Sequence, residues 1–295
     1  MQQPVLVAVD GSPQSVHAAH WAADEAARRG APLRLLHAGP WLAAQKTTAA
    51  QHGDEEGIAL RLLAHAQDEV RRRHPGLAVG TGLVQGQVID ALTSAAKDGE
   101  LLVLGSRGLG GFAGLLVGSV SLAVAARAEI PVVVVRPTAD TDAAAVDERE
   151  REVVVGVDAG LAAQSPLDAV LEFAFAEAAL RGARIRAVHG WDVPPAWPSM
   201  GVTVPMIPSE DLQSAEAAQL TKVLLPWREK FPAIEVVEQV RIGGGAAPLV
   251  YASARAELVV IGRRLRPHGP GLRLGPVAHA VLHHADAPVV IVPHP

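Results

Sequence analysis

Short apolar runs alternate with longer Ala-rich or amphipathic stretches along this chain. "VLVAV", "LLVLG" and "VVVV" gather Val, Leu and Ala without the strict apolar–polar alternation of a half-exposed strand. Runs of this kind suit strands covered on both faces, as in a parallel sheet between helix layers. In the first half the pattern predicts strands at Val5–Val9, Leu33–His37, Leu77–Val84, Leu101–Leu104 and Val132–Val135. Helices are expected between them: one opening at Pro13 after a Ser12 cap and ending at Gly30, then Glu55–Arg73, Gln87–Lys97 and Gly118–Ala128. Strict strand–helix alternation predicts a doubly wound α/β fold, with any ligand beyond the carboxyl ends of the strands.

The pattern occurs twice. "PVLVAVDGS…ARRGAPLRLLHAG" at the start returns as "EVVVGVDAG…ALRGARIRAVHGW" from Glu152, so that Asp10 corresponds to Asp158 and His37 to His189. "LLVLGSR" pairs with "LVVIGRR", and "AEIPVVVVRP" with "ADAPVVIVPHP". The chain therefore reads as two tandem α/β units of five strands each, covering 1–138 and 152–295. The polar, charged stretch between them, 139–151, reads as an exposed linker.

At 295 residues the chain has room for two such cores, and 49 % hydrophobic residues are enough to fill them. A net charge of −5 argues against a general nucleic-acid binder. The absence of cysteine excludes disulfides and thiolate chemistry, and with no signal-peptide pattern at Met1 it leads us to expect a cytoplasmic protein. Arg127, Glu129 and Pro131 interrupt the one long apolar run, so no membrane span is expected.

The stretch with most to say about chemistry is "GSRGLGGFAGLLVGSVS", Gly105–Ser121, which follows the fourth strand and runs into a helix. Bare backbone amides and a helix N-terminus make a natural phosphate site. Ser119 is expected to cap that helix and offer its hydroxyl to the same anion. Other phosphate motifs fail on spacing. None of the lysines (Lys46, Lys97, Lys222, Lys230) follows a glycine, and "DGSPQS" after the first strand lacks G-x-G-x-x-G.

Gly105-x-x-Gly108, nine residues, then Gly118-Ser119, together with "VAVDGS", "LLHA" and "PVVVV" in order, resembles the ATP-binding universal stress proteins. The likeness spans both halves and so suggests a tandem member with a Rossmann-like fold of the adenine nucleotide alpha hydrolase type. It implies that Ala8, Val9 and Asp10 hold base and ribose and that Ala38 meets adenine. Leu104, Gly105, Arg107 and Gly108 would contact ribose and phosphates, with Gly118, Ser119 and Val120 closing over the phosphates. The implied cofactor is ATP, with or without Mg²⁺, and the implied role is regulatory. No general base is evident, so any hydrolysis should be slow. Arg107 is the cation that a hydrolase or adenylyl-transfer enzyme would use. The family also pairs fifth strands across subunits or halves, which leaves a homodimer, an intrachain pairing or a pure interaction module open. The stress and any protein partner are not specified.

The second half departs from this pattern. Asp158, Gly262, Gly275 and Val277 hold the matching places, but Leu265 replaces the second glycine and Pro276 the serine. Bulk and a lost amide should make nucleotide binding there weaker or absent. Arg263, Arg264, Arg266 and Arg273 read as a solvated loop, with phosphate contact as the alternative. His37 and His189 read as structural residues at strand ends. His279, His283 and His284 read as surface or packing side chains rather than metal ligands. The Pro-rich segment Trp191–Leu212 could be a loop, a lid or a partner surface.

Overall fold

A computed structural model describes residues 2–39, 49–108, 116–137, 151–159, 167–191, 209–265 and 274–295. The linker apart from Arg151, and also Arg266, Arg273 and most of the Trp191–Leu212 segment, lie outside these residues. In the first half β1 (Val5–Ala8), α1 (Pro13–Arg29), β2 (Leu33–Gly39), α2 (Ala49–Arg73), β3 (Val79–Gln85), α3 (Val88–Ala96), β4 (Leu101–Gly105), α4 (Ser119–Arg127) and β5 (Val132–Val135) follow in order. The second half repeats them as β6 (Glu152–Gly156), α5 (Asp168–Arg181), β7 (Arg184–Trp191), α6 (Ser209–Lys230), β8 (Val236–Ile242), α7 (Ala246–Ser253), β9 (Leu258–Arg264), α8 (Pro276–His284) and β10 (Val289–His294).

Local chemistry accounts for the boundaries. The Ser12 hydroxyl accepts the Ser15 amide at 3.2 Å, and Pro13 follows at the first helical position. At the other end Gly30 takes the left-handed conformation and returns its amide to Ala26 and Ala27. The third strand runs from Val79 rather than Leu77. It lies at the sheet edge and is mostly half-buried or exposed, so its sequence lacks the continuous apolar run of the inner strands.

The ten strands of the described residues form one sheet in the order β3-β2-β1-β4-β5-β10-β9-β6-β7-β8. Every pairing inside a half is parallel, and only β5 and β10 run antiparallel, with Val134 opposite Val289, Val133 opposite Val290 and Val132 opposite Ile291. The two fifth strands thus occupy each other within one chain, and that edge is not open for a dimer built by the same strands. β10 continues to His294 because its partner there is β9, which pairs Pro293 with Arg263 and His294 with Arg264. Pro293 is tolerated because β10 has already outrun β5, whose pairing stops opposite Ile291.

Side chains alternate between two aliphatic cores, one on each face. Val5, Val7, Leu33, Leu35, Val103, Val155 and Val290 pack beneath α1, α2, α5 and α6. Leu6, Leu36, Leu102, Leu104, Val134, Val259 and Ile291 pack beneath α3, α4, α7 and α8. Each core runs across the β5–β10 join. Because that join is antiparallel, the carboxyl edge of the sheet faces one way in the first half and the opposite way in the second.

Candidate functional site

The carboxyl ends of β1, β2 and β4 and the start of α4 enclose a cleft of about 480 Å³. Ala8, Val9, Asp10, Ala38, Leu104, Gly105, Arg107, Gly108, Gly118, Ser119 and Val120 all line it, so the first set of sequence-derived residues meets in one place. Ser15, His37, Val88, Leu92 and Ser121 line it too. Motif spacing could not supply Ser15, Val88 and Leu92, because they come from helices outside the glycine loop.

Asp10 has two roles. Its Oδ1 accepts the Ser12 amide at 3.0 Å and the Ser12 hydroxyl at 2.6 Å, which fixes the turn into α1. Its Oδ2 lies against Gly108, where an added Cβ would come within 2.4 Å of it. A side chain at that position would have to displace the carboxylate. Gly105 is bare for a similar reason: a Cβ there would meet the Gln14 backbone at 2.9 Å. The loop glycines therefore let the first helical turn of α1, the Asp10 carboxylate and the end of β4 converge.

At the start of α4 the structure corrects one expectation. Gly118, not Ser119, is the N-cap, and no side chain caps the helix. The Gly118 amide donates to the Ser106 carbonyl at 2.7 Å, so it is not a phosphate donor. Ser119 sits one position further in. The amides of Ser119, Val120 and Ser121 have no intrahelical acceptor and form the cleft-facing helix end. Ser121 spends its hydroxyl on the Gly105 carbonyl at 2.7 Å, which ties the helix to the strand end. Arg107 Nε is buried without a hydrogen-bond partner among the described residues. The His37 Nδ1 lies 2.7 Å from the Val9 carbonyl, which orients the ring at the cleft wall.

The second half encloses a cleft of about 540 Å³, lined among others by Asp158, Gly262, Gly275 and Val277. Its phosphate end is built differently. Pro276 opens α8 and offers no amide, and Leu265 stands partly exposed at the place of Gly108. α5 has 14 residues where α1 has 17, counted back from the equivalent glycine caps, so it begins nearly one turn later. The His294 ring occupies the side of Gly262, where an added Cβ would meet its Nε2 at 2.8 Å.

A second correction concerns Arg263. It does not belong to a solvated loop: it is buried, lines this cleft and donates to the Ala128 carbonyl of the first half. Arg264 is exposed, but it ends β9 rather than lying in a loop, and it too lines this cleft. His189 is buried, with Nδ1 3.0 Å from the Val157 carbonyl and Nε2 2.9 Å from Glu216. The His279 and His283 rings pack against each other in a tilted arrangement, with centroids 4.5 Å apart. Among the described residues no group of three or more His, Asp or Glu side chains is arranged to hold a metal ion.

The universal stress protein family model matches residues 1–136 and again 150–293. The chain belongs to the universal stress protein family. It is a tandem member, similar over its whole length to universal stress proteins that carry two units. One from Mycobacterium tuberculosis is 33 % identical over 305 residues, covering 98 % of this chain and 97 % of the relative. One from Mycolicibacterium smegmatis is 32 % identical over 305 residues, covering 98 % and 96 %. The crystal structure of a universal stress protein from Archaeoglobus fulgidus shares the fold with a TM-score of 0.67 over 98 % of both chains, at 18 % identity. Among the described residues of this universal stress protein no helix is long and apolar enough to cross a membrane.

Proposed function

We propose that the first unit binds ATP, alone or with Mg²⁺, and that occupancy of this cleft regulates the protein. The observation that carries this reading is the meeting, in one cleft, of an apolar slot and an amide-rich helix end. Ala8, Ala38, Leu92 and Val120 would sandwich a planar base. Asp10, held by Ser12, is placed for a ribose hydroxyl. The open amides of Ser119, Val120 and Ser121, with Arg107, would take the phosphates. Phosphates held at this helix end would favour one conformation of the protein over another. The second cleft keeps the slot but lacks the Ser119 amide and hydroxyl, so nucleotide binding there is weaker or absent.

The test is to purify the protein without added nucleotide, denature it, and identify released nucleotide by chromatography and mass, with ATP titration alongside. One adenine nucleotide per chain is expected. Ser119→Pro copies the second half, removes one amide and one hydroxyl at a position where proline is well tolerated, and should abolish binding. Two nucleotides per chain would refute the asymmetry, and none, with no uptake on titration, would refute the ATP reading.

A further inference from the structure

Among the arginines that cross between the halves, Arg136 and Arg263 end on backbone carbonyls rather than carboxylates. Arg136, which follows β5, donates from Nη1 to the Ala285 carbonyl at 2.6 Å. Arg263, in β9, donates from Nη2 to the Ala128 carbonyl. Ala128 and Ala285 are the C-caps of α4 and α8. The opposite ends of these two helices line the first and second clefts.

The antiparallel join explains the arrangement. It sets the carboxyl edge of each half beside the amino edge of the other, where α4 or α8 ends and the last strand begins. Carbonyls at a helix C-terminus have no intrahelical donor and carry partial negative charge, so a guanidinium is a well-matched partner. Each half thus grips the far end of the helix that opens onto the other half's cleft. α4 and α8 each have only 9 residues, short enough for a constraint at one end to be felt at the other.

The charges give the linkage a direction. Arg107 of the first cleft repels Arg136, while Asp286 attracts it. A phosphate beside Arg107 offsets that repulsion and strengthens the hold of Arg136 on Ala285.

We propose that Arg136 and Arg263 couple the two clefts, so that an anionic ligand in the first orders α8 and with it the rim of the second. The ligand arm of this inference rests on ATP binding in the first cleft. The mechanical arm does not.

Hydrogen–deuterium exchange on the full chain tests both arms. With ATP bound, amides in 277–285 should exchange about tenfold more slowly. Arg136→Met should abolish that protection while ATP stays bound, because Arg136 lines neither cleft. Bound ATP without protection, or protection that survives Arg136→Met, overturns the proposal, the latter because it would mean direct occupancy of the second cleft. If no ATP binds, the nucleotide reading fails and the ligand-free arm decides. Val124→Ala loosens α4 from within the core. It should speed exchange in 258–265, and Arg263→Met should remove that response. Unchanged exchange in 258–265 would then overturn the proposal.

Discussion

Arg29 near the end of α1 is ion-paired with Glu177 of α5, across the boundary between the two halves. Arg181 returns the contact to Glu25 at 2.6 Å, and each arginine also pairs with the glutamate of its own helix. The four residues are equivalent in pairs, since each Glu–Arg set stands at the same distance before the Gly30 or Gly182 cap. Glu25, Glu177 and Arg181 are almost fully buried. Burial alone would raise the Glu25 carboxyl, but Arg181 and Arg29 outweigh it and hold Glu25 below its ordinary value.

Arg28, Glu100 and Glu257 add pairs from the rim of this box, but the balance of charge inside depends on every buried member being present. Glu177→Ala should destabilise the protein by about 3–5 kcal/mol in urea denaturation, because Arg29 and Arg181 would then share Glu25 with buried positive charge in excess. Replacing all four residues by Leu or Met should restore most of the loss, since paired apolar substitutes avoid the desolvation cost. A single substitution with no measurable effect would show that water reaches the box.

Gly108→Ala should leave the fold intact and weaken ATP binding about tenfold or more in calorimetric titration. The new Cβ would displace the Asp10 carboxylate from its place beside the loop. That movement strains the bonds from Asp10 to Ser12, so the loss of folding stability should be about 1 kcal/mol.

Stability should fall as the solution is acidified below pH 6.5. Burial holds His17, His283 and His294 below the ordinary value of 6.5, so each resists protonation in the folded chain. The unfolded chain then binds more protons between each folded pKa and 6.5. The stability these residues confer is complete above 6.5 and is lost as pH falls through that window. Thermal unfolding from pH 8 to pH 5 should show the decline, and replacing the three histidines by Gln should flatten it.

Leu265→Gly combined with Pro276→Ser should raise bound nucleotide from one to two per chain. The pair restores the bare backbone and the helix-end amide that distinguish the first cleft from the second. Stoichiometry unchanged at saturating ATP would mean that His294, packed against Gly262, also blocks the site. In that case His294→Ala should be needed as well.

Local chemistry determined most of what could be read from the chain alone. The order of strands and helices follows from short Val and Leu runs, a Ser12–Pro13 start and glycine stops, each legible within a few residues. The first cleft was legible for the same reason: its residues sit at strand ends and in one loop, so spacing along the chain maps onto spacing around the cleft. Only the tertiary structure decided what joins distant parts. The antiparallel meeting of Val133 and Val290, the reach of Arg263 to Ala128 over 135 positions and that of Arg181 to Glu25 over 156 have no local signature. An arginine run looks solvated until the sheet places an orphaned carbonyl beside it. The same holds for Gly118, whose amide looked free until Ser106 was seen to take it. Sequence pattern records which groups are available for bonding, whereas burial and the direction of chain packing select their partners.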